Sequence, residues 1–143
     1  MRRYLVVANQ TLASHQLQQE LLLRAESEES TFYFLVPETA ANDYAQDWKG
    51  QSGTASEAGS PGARQRLEQA IGAVRSAGAH ATGSIESPDP MKPIQQRLRR
   101  AEYDEVIVST LPKTISRWLK MDLPSRVQRA VGIPVTTIIA KGE

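Results

Sequence analysis

Apolar runs alternate along this chain with stretches of helical periodicity, and this alternation restricts the fold more than any other feature. The five runs cover residues 4–8, 31–36, 80–86, 105–110 and 134–140. Four of them are rich in apolar and β-branched residues, as expected of buried strands, and 80–86 is a weaker match. Strands that alternate with helices predict a parallel sheet with right-handed crossovers and helices on both faces. The predicted fold class is therefore α/β, a three-layer sandwich around a five-stranded parallel sheet.

The helical stretches carry start and stop signals. Ser14 can cap the first helix, and Pro61 occupies the favoured first position of the second. The second helix should end at Gly78, because glycine is the preferred residue just past a helix. Pro90 opens the third helix as Pro61 opens the second, and Asp122 is a candidate cap for the last helix.

The order of the strands decides where a ligand would bind. Five strands of this type commonly take the order 2-1-3-4-5 or 3-2-1-4-5, and in both the first strand lies where the order reverses. Ligands of such sheets bind beyond the carboxyl ends of the strands at this point. We therefore predict a crevice lined by Ala8, Asn9, Ser109 and Thr110.

Length and composition fit one globular domain that extends over residues 1–143. The chain has 143 residues, of which 40% are hydrophobic and 23% charged, as in ordinary globular proteins. Residues 40–60 lack periodicity and are rich in glycine, alanine and serine, which predicts a flexible insertion. The net charge of +1 argues against a dedicated nucleic-acid binder, because such proteins usually have a strongly basic face.

The same composition excludes several kinds of site and location. No apolar run approaches the ~20 residues that span a bilayer, and residues 4–8 give way to polar residues too soon for a signal peptide. The chain has no cysteine, which excludes disulfides and thiolate metal sites. Its two histidines, His15 and His80, fall at opposite ends of the predicted strand–helix units, so we predict no metal site. We expect a cytoplasmic protein that binds neither nucleic acid nor membranes.

Known phosphate-binding and catalytic motifs are absent from the sequence. It contains neither a Walker A sequence nor G-x-G-x-x-G, and no glycine occurs between Glu105 and Val131. Ser109 follows an apolar strand, but it does not lie in a G-x-S-x-G turn and no histidine follows it in the chain. We therefore predict no catalytic residue and expect that the protein is not an enzyme.

A group of cations lies between the last two predicted strands and allows two interpretations. Its members fall within seventeen residues: Lys113, Arg117, Lys120, Arg126 and Arg129. Together with two helix amino termini they could form an anion site for a phosphate. They could equally form a solvated helix surface, since Arg126 and Arg129 lie opposite the apolar side of their helix. The sequence leaves both interpretations open.

The framework of the chain resembles the universal stress protein family. The resemblance lies in the strand at 106–109, in the segment Asp-Leu-Pro-Ser-Arg-Val at 122–127, and in Ile-Pro-Val at 133–135. The first strand and the Asp89-Pro90 helix start also align in position, so the resemblance covers most of the chain outside residues 40–60. The resemblance implies the strand order 3-2-1-4-5 and a homodimer formed through the carboxyl-terminal strand.

The resemblance also implies a binding site for ATP or another adenine nucleotide. Where ATP-binding members have an aspartate after the first strand, this chain has Asn9, and the family's glycine loop corresponds to about Ser109, Leu111, Met121 and Asp122. Side chains in place of glycine, and the charge of Asp122, predict weak or absent ATP binding. The candidate cofactor-binding residues are Ala8, Asn9, Val36, Ser109, Thr110, Lys113, Asp122, Ser125 and Arg126.

Several functions compete for this framework. The first is a stress-related binding or regulatory module without catalysis, and its nearest alternative is an adenine-nucleotide-binding stress protein with an altered phosphate loop. A receiver-like signalling domain would need an acidic pair after the first strand, where the chain has Asn9-Gln10. An adenylyl-transferring enzyme would need a glycine-rich or HxGH-type loop, which is missing.

Overall fold

Five strands and four α-helices alternate through the parts of the chain that the structure describes. The computed structural model describes residues 1–8, 10–37, 60–86, 91–110 and 123–139. The strands are β1 Arg2–Val7, β2 Ser30–Pro37, β3 His80–Glu86, β4 Glu105–Thr110 and β5 Val135–Ile139. The helices are α1 His15–Ser27, α2 Ser60–Ser76, α3 Met91–Arg100 and α4 Leu123–Val131, and a 3-10 helix, Gln10–Ala13, precedes α1.

The strands form one parallel sheet in the order β3-β2-β1-β4-β5. This confirms the predicted α/β fold and, of the two orders that the pattern allowed, the order 3-2-1-4-5. β1 pairs with β2 on one side and with β4 on the other, in a register that sets Val7 beside Leu35 and Val108. The strand order therefore reverses at β1, as predicted.

Side chains that alternate along the strands supply two apolar cores, one on each face of the sheet. On the first face Val6, Phe32 and Phe34 pack with Leu17 and Leu21 of α1. The second face belongs to α3 and α4, and its core members are Leu5, Val7, Leu35, Met91, Ile94, Val106, Val108 and Val127. The continuous apolar runs of β1 and β4 follow from this arrangement, because a strand covered on both faces has no solvent-facing positions.

Local signals place several of the helix ends correctly. Ser14 caps α1, since its hydroxyl oxygen accepts a hydrogen bond from the amide of Leu17 at 3.2 Å. Gly78 follows α2 with φ of 96°, and Gly132 follows α4 with φ of 70°. Both values lie in the left-handed region that glycine adopts most readily, which explains why these two helices stop there.

The strand ends differ from the predicted ones by a few residues. β1 begins at Arg2 rather than at Tyr4, because Arg2 joins the ladder through its amide, which donates to the carbonyl of Glu29 at 3.0 Å. β5 begins at Val135 rather than at Pro134, and the predicted end at 140 lies outside the described residues. The insertion at 40–60 also lies almost entirely outside them. Across the described ranges, no helix is long and apolar enough to cross a membrane.

Candidate functional site

The carboxyl ends of β2, β1 and β4 meet where the strand order reverses, and we call this place the switch-point crevice. Three of the predicted site residues lie here on the face that α1 and α2 cover: Ala8, Val36 and Ser109. All three side chains are buried. The amide of Ala8 donates to the carbonyl of Leu35 at 3.3 Å, which fixes the chain just past β1 against β2.

A pair of buried hydroxyl groups lies at the carboxyl end of β4, beside the 3-10 helix that follows β1. Ser109 donates its hydroxyl hydrogen to Thr11 Oγ1 at 2.7 Å, and Thr11 donates to the carbonyl of Ser109 at 3.1 Å. Both residues are buried. Both hydroxyl hydrogens are therefore used inside the pair, and the pair ties the 3-10 helix to the end of β4.

Thr11 was not among the predicted site residues. Its position two residues beyond the predicted crevice residue Asn9 was the available signal, because turns that follow the first strand of such a sheet lie beside the ligand position. The hydroxyl pair itself joins residues 98 positions apart. It therefore depends on β4 lying next to β1, which local sequence does not specify.

Thr110 also lies at the carboxyl end of β4, and its side chain is on the opposite face of the sheet from that of Ser109. Side chains alternate along a strand, so consecutive residues of β4 point to different faces. Thr110 is 1% exposed. Its hydroxyl oxygen is buried and has no hydrogen-bond partner in the described part of the chain. A buried hydroxyl without a partner carries a free-energy penalty that a polar atom of a ligand could remove.

The remaining predicted residues are at α4 or outside the described residues. Ser125 and Arg126 belong to the first turns of α4 and are exposed, whereas Val127 beside them is buried. Arg129 is exposed as well. Exposure of these two arginines fits either interpretation, since the other cations of the group lie outside the described residues. Asn9, Lys113 and Asp122 lie outside the described residues.

The described groups at the crevice suit hydrogen bonding better than proton transfer. The hydrogen of Ser109 goes to Thr11 rather than to an imidazole, and His15 and His80 are both exposed. An activated serine needs a base that accepts its hydrogen, and a hydroxyl neighbour is not basic enough. The arrangement sets neutral hydroxyl groups beside the apolar side chains of Ala8 and Val36, and all of these groups are buried.

Comparison with known proteins gives structural likenesses only. No protein-family model matches the sequence, and no curated protein matches it. A universal stress protein family protein from Arabidopsis thaliana, solved with AMP bound, is 15% identical with a TM-score of 0.60, over 99% of this chain and 93% of that chain. The universal stress protein from Archaeoglobus fulgidus in complex with dAMP is 13% identical with a TM-score of 0.54, over 99% and 98%.

The same architecture also occurs in an enzyme. GalB, a 4-carboxy-2-hydroxymuconate hydratase from Pseudomonas putida, is 18% identical with a TM-score of 0.52, over 90% of this chain and 56% of that chain. At these identities a likeness establishes the fold and leaves the function to the residues of the site. The strand order, the full-length coverage and the repeated matches establish that this chain has the fold of the universal stress proteins.

Proposed function

We propose that this chain is a member of the universal stress protein family that acts as a cytoplasmic binding or regulatory module, without catalysis and with weak or absent ATP binding. The observation that carries the proposal is the closed hydroxyl pair of Thr11 and Ser109 at the switch-point crevice. It occupies the edge of β4 from which ATP-binding members of the family extend their glycine loop.

The physical argument concerns the approach of a phosphate to the backbone. A phosphate is held by several backbone amides at once, and a glycine-rich loop allows this approach because it has no Cβ atoms. This chain has no glycine from Glu105 to Val131, and Asp122 adds a negative charge to the segment. Ser109 has no hydroxyl hydrogen to offer, because Thr11 already accepts it. A triphosphate would therefore form fewer hydrogen bonds here than in a glycine-rich loop, and its binding free energy would be less favourable.

A second candidate is an adenine mononucleotide in place of ATP. Two structures with this fold hold AMP and dAMP, ligands with one phosphate group. The buried hydroxyl of Thr110 has no hydrogen-bond partner among the described residues and could serve a ribose or base atom. This candidate keeps the nucleoside part of the site and requires little phosphate binding.

Calorimetry with Mg-ATP and with AMP separates the two candidates. The proposal predicts that ATP binds weakly or not at all, so a sub-micromolar dissociation constant for ATP would contradict it. Binding of AMP that is tighter than binding of ATP would establish the second candidate. Asp122→Ser removes the negative charge and should tighten any residual ATP binding, whereas Glu102→Ser, on an exposed residue beyond the end of α3, should leave it unchanged.

We further propose that two copies associate through β5. Among the described strands, β5 lies at the edge of the sheet and pairs only with β4. Unpaired backbone groups at a sheet edge favour pairing with another chain, and a two-fold axis would pair β5 antiparallel with its own copy. Ile139, at the end of the strand, is 45% exposed, and its burial would add to the association.

A further inference from the structure

β5 is an edge strand with few buried side chains. It pairs with one neighbour, β4, and only Ile138 among its five residues is buried. The other four side chains are partly or fully exposed. Segments with few buried apolar contacts open at a lower free energy than the global unfolding of the domain.

One polar junction fastens this strand to the body of the domain. Glu105, the first residue of β4, is 8% exposed and lies beside β5 in the sheet. Its carboxylate accepts hydrogen bonds from Arg24 Nη2 at 3.0 Å and Nε at 3.4 Å, and a further one from the hydroxyl of Thr136 in β5. Three elements, α1, β4 and β5, therefore meet at one buried carboxylate.

The two partners of Glu105 have different parts in the junction. Arg24 is held from the other side by Glu20, one turn earlier in α1, at 2.6 Å. Two nitrogens of one guanidinium fix the orientation of the carboxylate, so Arg24 acts as a positioning residue. Thr136 makes the contact that must break when β5 leaves the sheet. A hydrogen bond to a carboxylate is stronger than one between neutral groups, particularly where water is excluded.

We propose that the Arg24–Glu105–Thr136 junction is a latch for the edge strand, and that β5 opens as a unit while the other four strands stay paired. Opening would expose the edge of β4, which carries the buried residues Val106, Ile107 and Val108. The latch is a conformational device that is independent of the proposed nucleotide site. It requires neither a ligand nor a second copy of the chain.

Hydrogen exchange of backbone amides, measured by NMR on the whole protein over a series of low denaturant concentrations, tests the latch. The amide of Ile138 reports on β5 and that of Val6 on the central strand β1. We expect Ile138 to exchange faster than Val6 and with a smaller dependence on denaturant, because a local opening exposes less surface than global unfolding. Exchange at two protein concentrations separates protection by a second copy from protection by the latch.

Three variants isolate the contact. Thr136→Val keeps the shape of the side chain and removes the hydroxyl, so exchange of Ile138 should rise about tenfold. Thr137→Val makes the same change on the exposed neighbour and should leave the exchange within about twofold. Glu20→Gln weakens the support of Arg24 in α1 and breaks no contact to β5, so it should raise the exchange of Ile138 less than Thr136→Val does.

Two outcomes would overturn the latch. One is an exchange rate of Ile138 that Thr136→Val leaves unchanged. The other is a denaturant dependence for Ile138 that equals that of Val6 in the unsubstituted protein, because β5 would then open only when the whole domain unfolds. The second measurement needs no variant, so it stands even if Thr136→Val does not fold.

Discussion

At Gly83 in β3, α2 and the neighbouring strand leave no room for a side chain. A Cβ atom at this position would lie 2.6 Å from the carbonyl oxygen of Phe34 and 2.7 Å from Leu67 Cδ1. The first of these neighbours is backbone of the adjacent strand and cannot move without distorting the β2–β3 ladder. Gly83 is therefore required by packing, and no strain in its own backbone is involved.

We predict that Gly83→Ala lowers the free energy of unfolding by about 1–3 kcal/mol, because the added methyl group overpacks the contact between α2 and β3. Gly72→Ala is the matched control. Gly72 lies within α2 and has no atom within 4 Å of a Cβ position, so alanine should stabilise the helix by about 0.5–1 kcal/mol. Urea unfolding followed by circular dichroism measures both. Equal changes in the free energy of unfolding for the two substitutions would contradict the prediction. They would show that backbone propensity, rather than packing around Gly83, determines the effect of the added methyl group.

Single residues were predictable where the signal is local. Ser14 and Gly78 satisfy helix ends through contacts a few residues away, and the sequence placed both. The contact between Thr11 and Ser109 joins residues 98 positions apart, and that between Arg24 and Glu105 joins residues 81 apart. Neither pair can be predicted without knowing the order of the strands, because no local pattern connects the two residues.

Among the elements, β4 carries the buried charge that should set the acid stability of the domain. Burial by itself would raise the pKa of Glu105. The hydrogen bonds from Arg24 and Thr136, with the positive charges of Arg24 and Arg2, outweigh burial and hold this pKa below its usual value. A carboxyl group with a lowered pKa stabilises the folded state while it is ionised.

We predict that the domain loses this contribution as the pH falls. The contribution is fully present above the unfolded-state pKa of about 4.3, and it is lost as the pH falls below that value and through the lower folded-state pKa. Glu105→Gln should lower the free energy of unfolding at pH 7 by about 1–3 kcal/mol, because Arg24 then faces a neutral amide. The difference between the two proteins should shrink below about pH 4.

Thermal unfolding between neutral and acidic pH measures this difference, and Glu20→Gln serves as its control. Glu20 also pairs with Arg24, but its side chain is 43% exposed. An ion pair this exposed to solvent contributes little to the free energy of unfolding. This variant should keep the acid dependence that Glu105 causes. A gap between the unsubstituted protein and Glu105→Gln that stays constant down to pH 3 would contradict the assignment.

Periodicity in the sequence predicted which helices and strands exist. The exact ends of the strands depend on backbone hydrogen bonds to neighbouring strands, which periodicity does not show. β1 and β4 were recognisable because both faces of these strands are buried and their apolar runs are continuous. The two residues that β1 gains at its start, Arg2 and Arg3, are polar and join the strand through backbone pairing with β2. The 3-10 helix Gln10–Ala13 was not predicted, because a single turn has no periodicity to detect.

On the scale of the whole molecule, the alternation of strands and helices predicted the layers but left two strand orders open. Both orders satisfy right-handed crossovers and place β1 where the order reverses. The resemblance to the universal stress proteins selected 3-2-1-4-5, which the structure confirms. The site was less predictable than the fold. The family's site residues are recognised by a glycine-rich loop, and this chain has no glycine from Glu105 to Val131.

Only some of the backbone amides of β5 are available to pair with a second copy of the chain. The carbonyl of Pro134 accepts a hydrogen bond from the amide of Val106 at 3.0 Å. Because backbone groups alternate in direction along a strand, those of Thr136 and Ile138 also point toward β4. The alternate residues Val135, Thr137 and Ile139 point outward. The amide of Val135 already donates to Gln128 Oε1 at 3.2 Å. The outward amides of Thr137 and Ile139 are therefore the groups that an antiparallel copy of β5 would pair with.

We predict that the protein is a dimer in solution and that Thr137→Pro makes it a monomer. Proline removes the outward amide of residue 137, which no pairing within the sheet uses, and edge strands tolerate proline at such positions. Light scattering at micromolar concentration should give twice the 15.8 kDa of one chain for the unsubstituted protein and for the control Thr137→Val, which keeps the amide. Ile138 is unsuitable for this test because its side chain is buried, and a charge there would disturb each subunit. A monomeric mass for the unsubstituted protein, or a dimeric Thr137→Pro, would remove β5 as the interface.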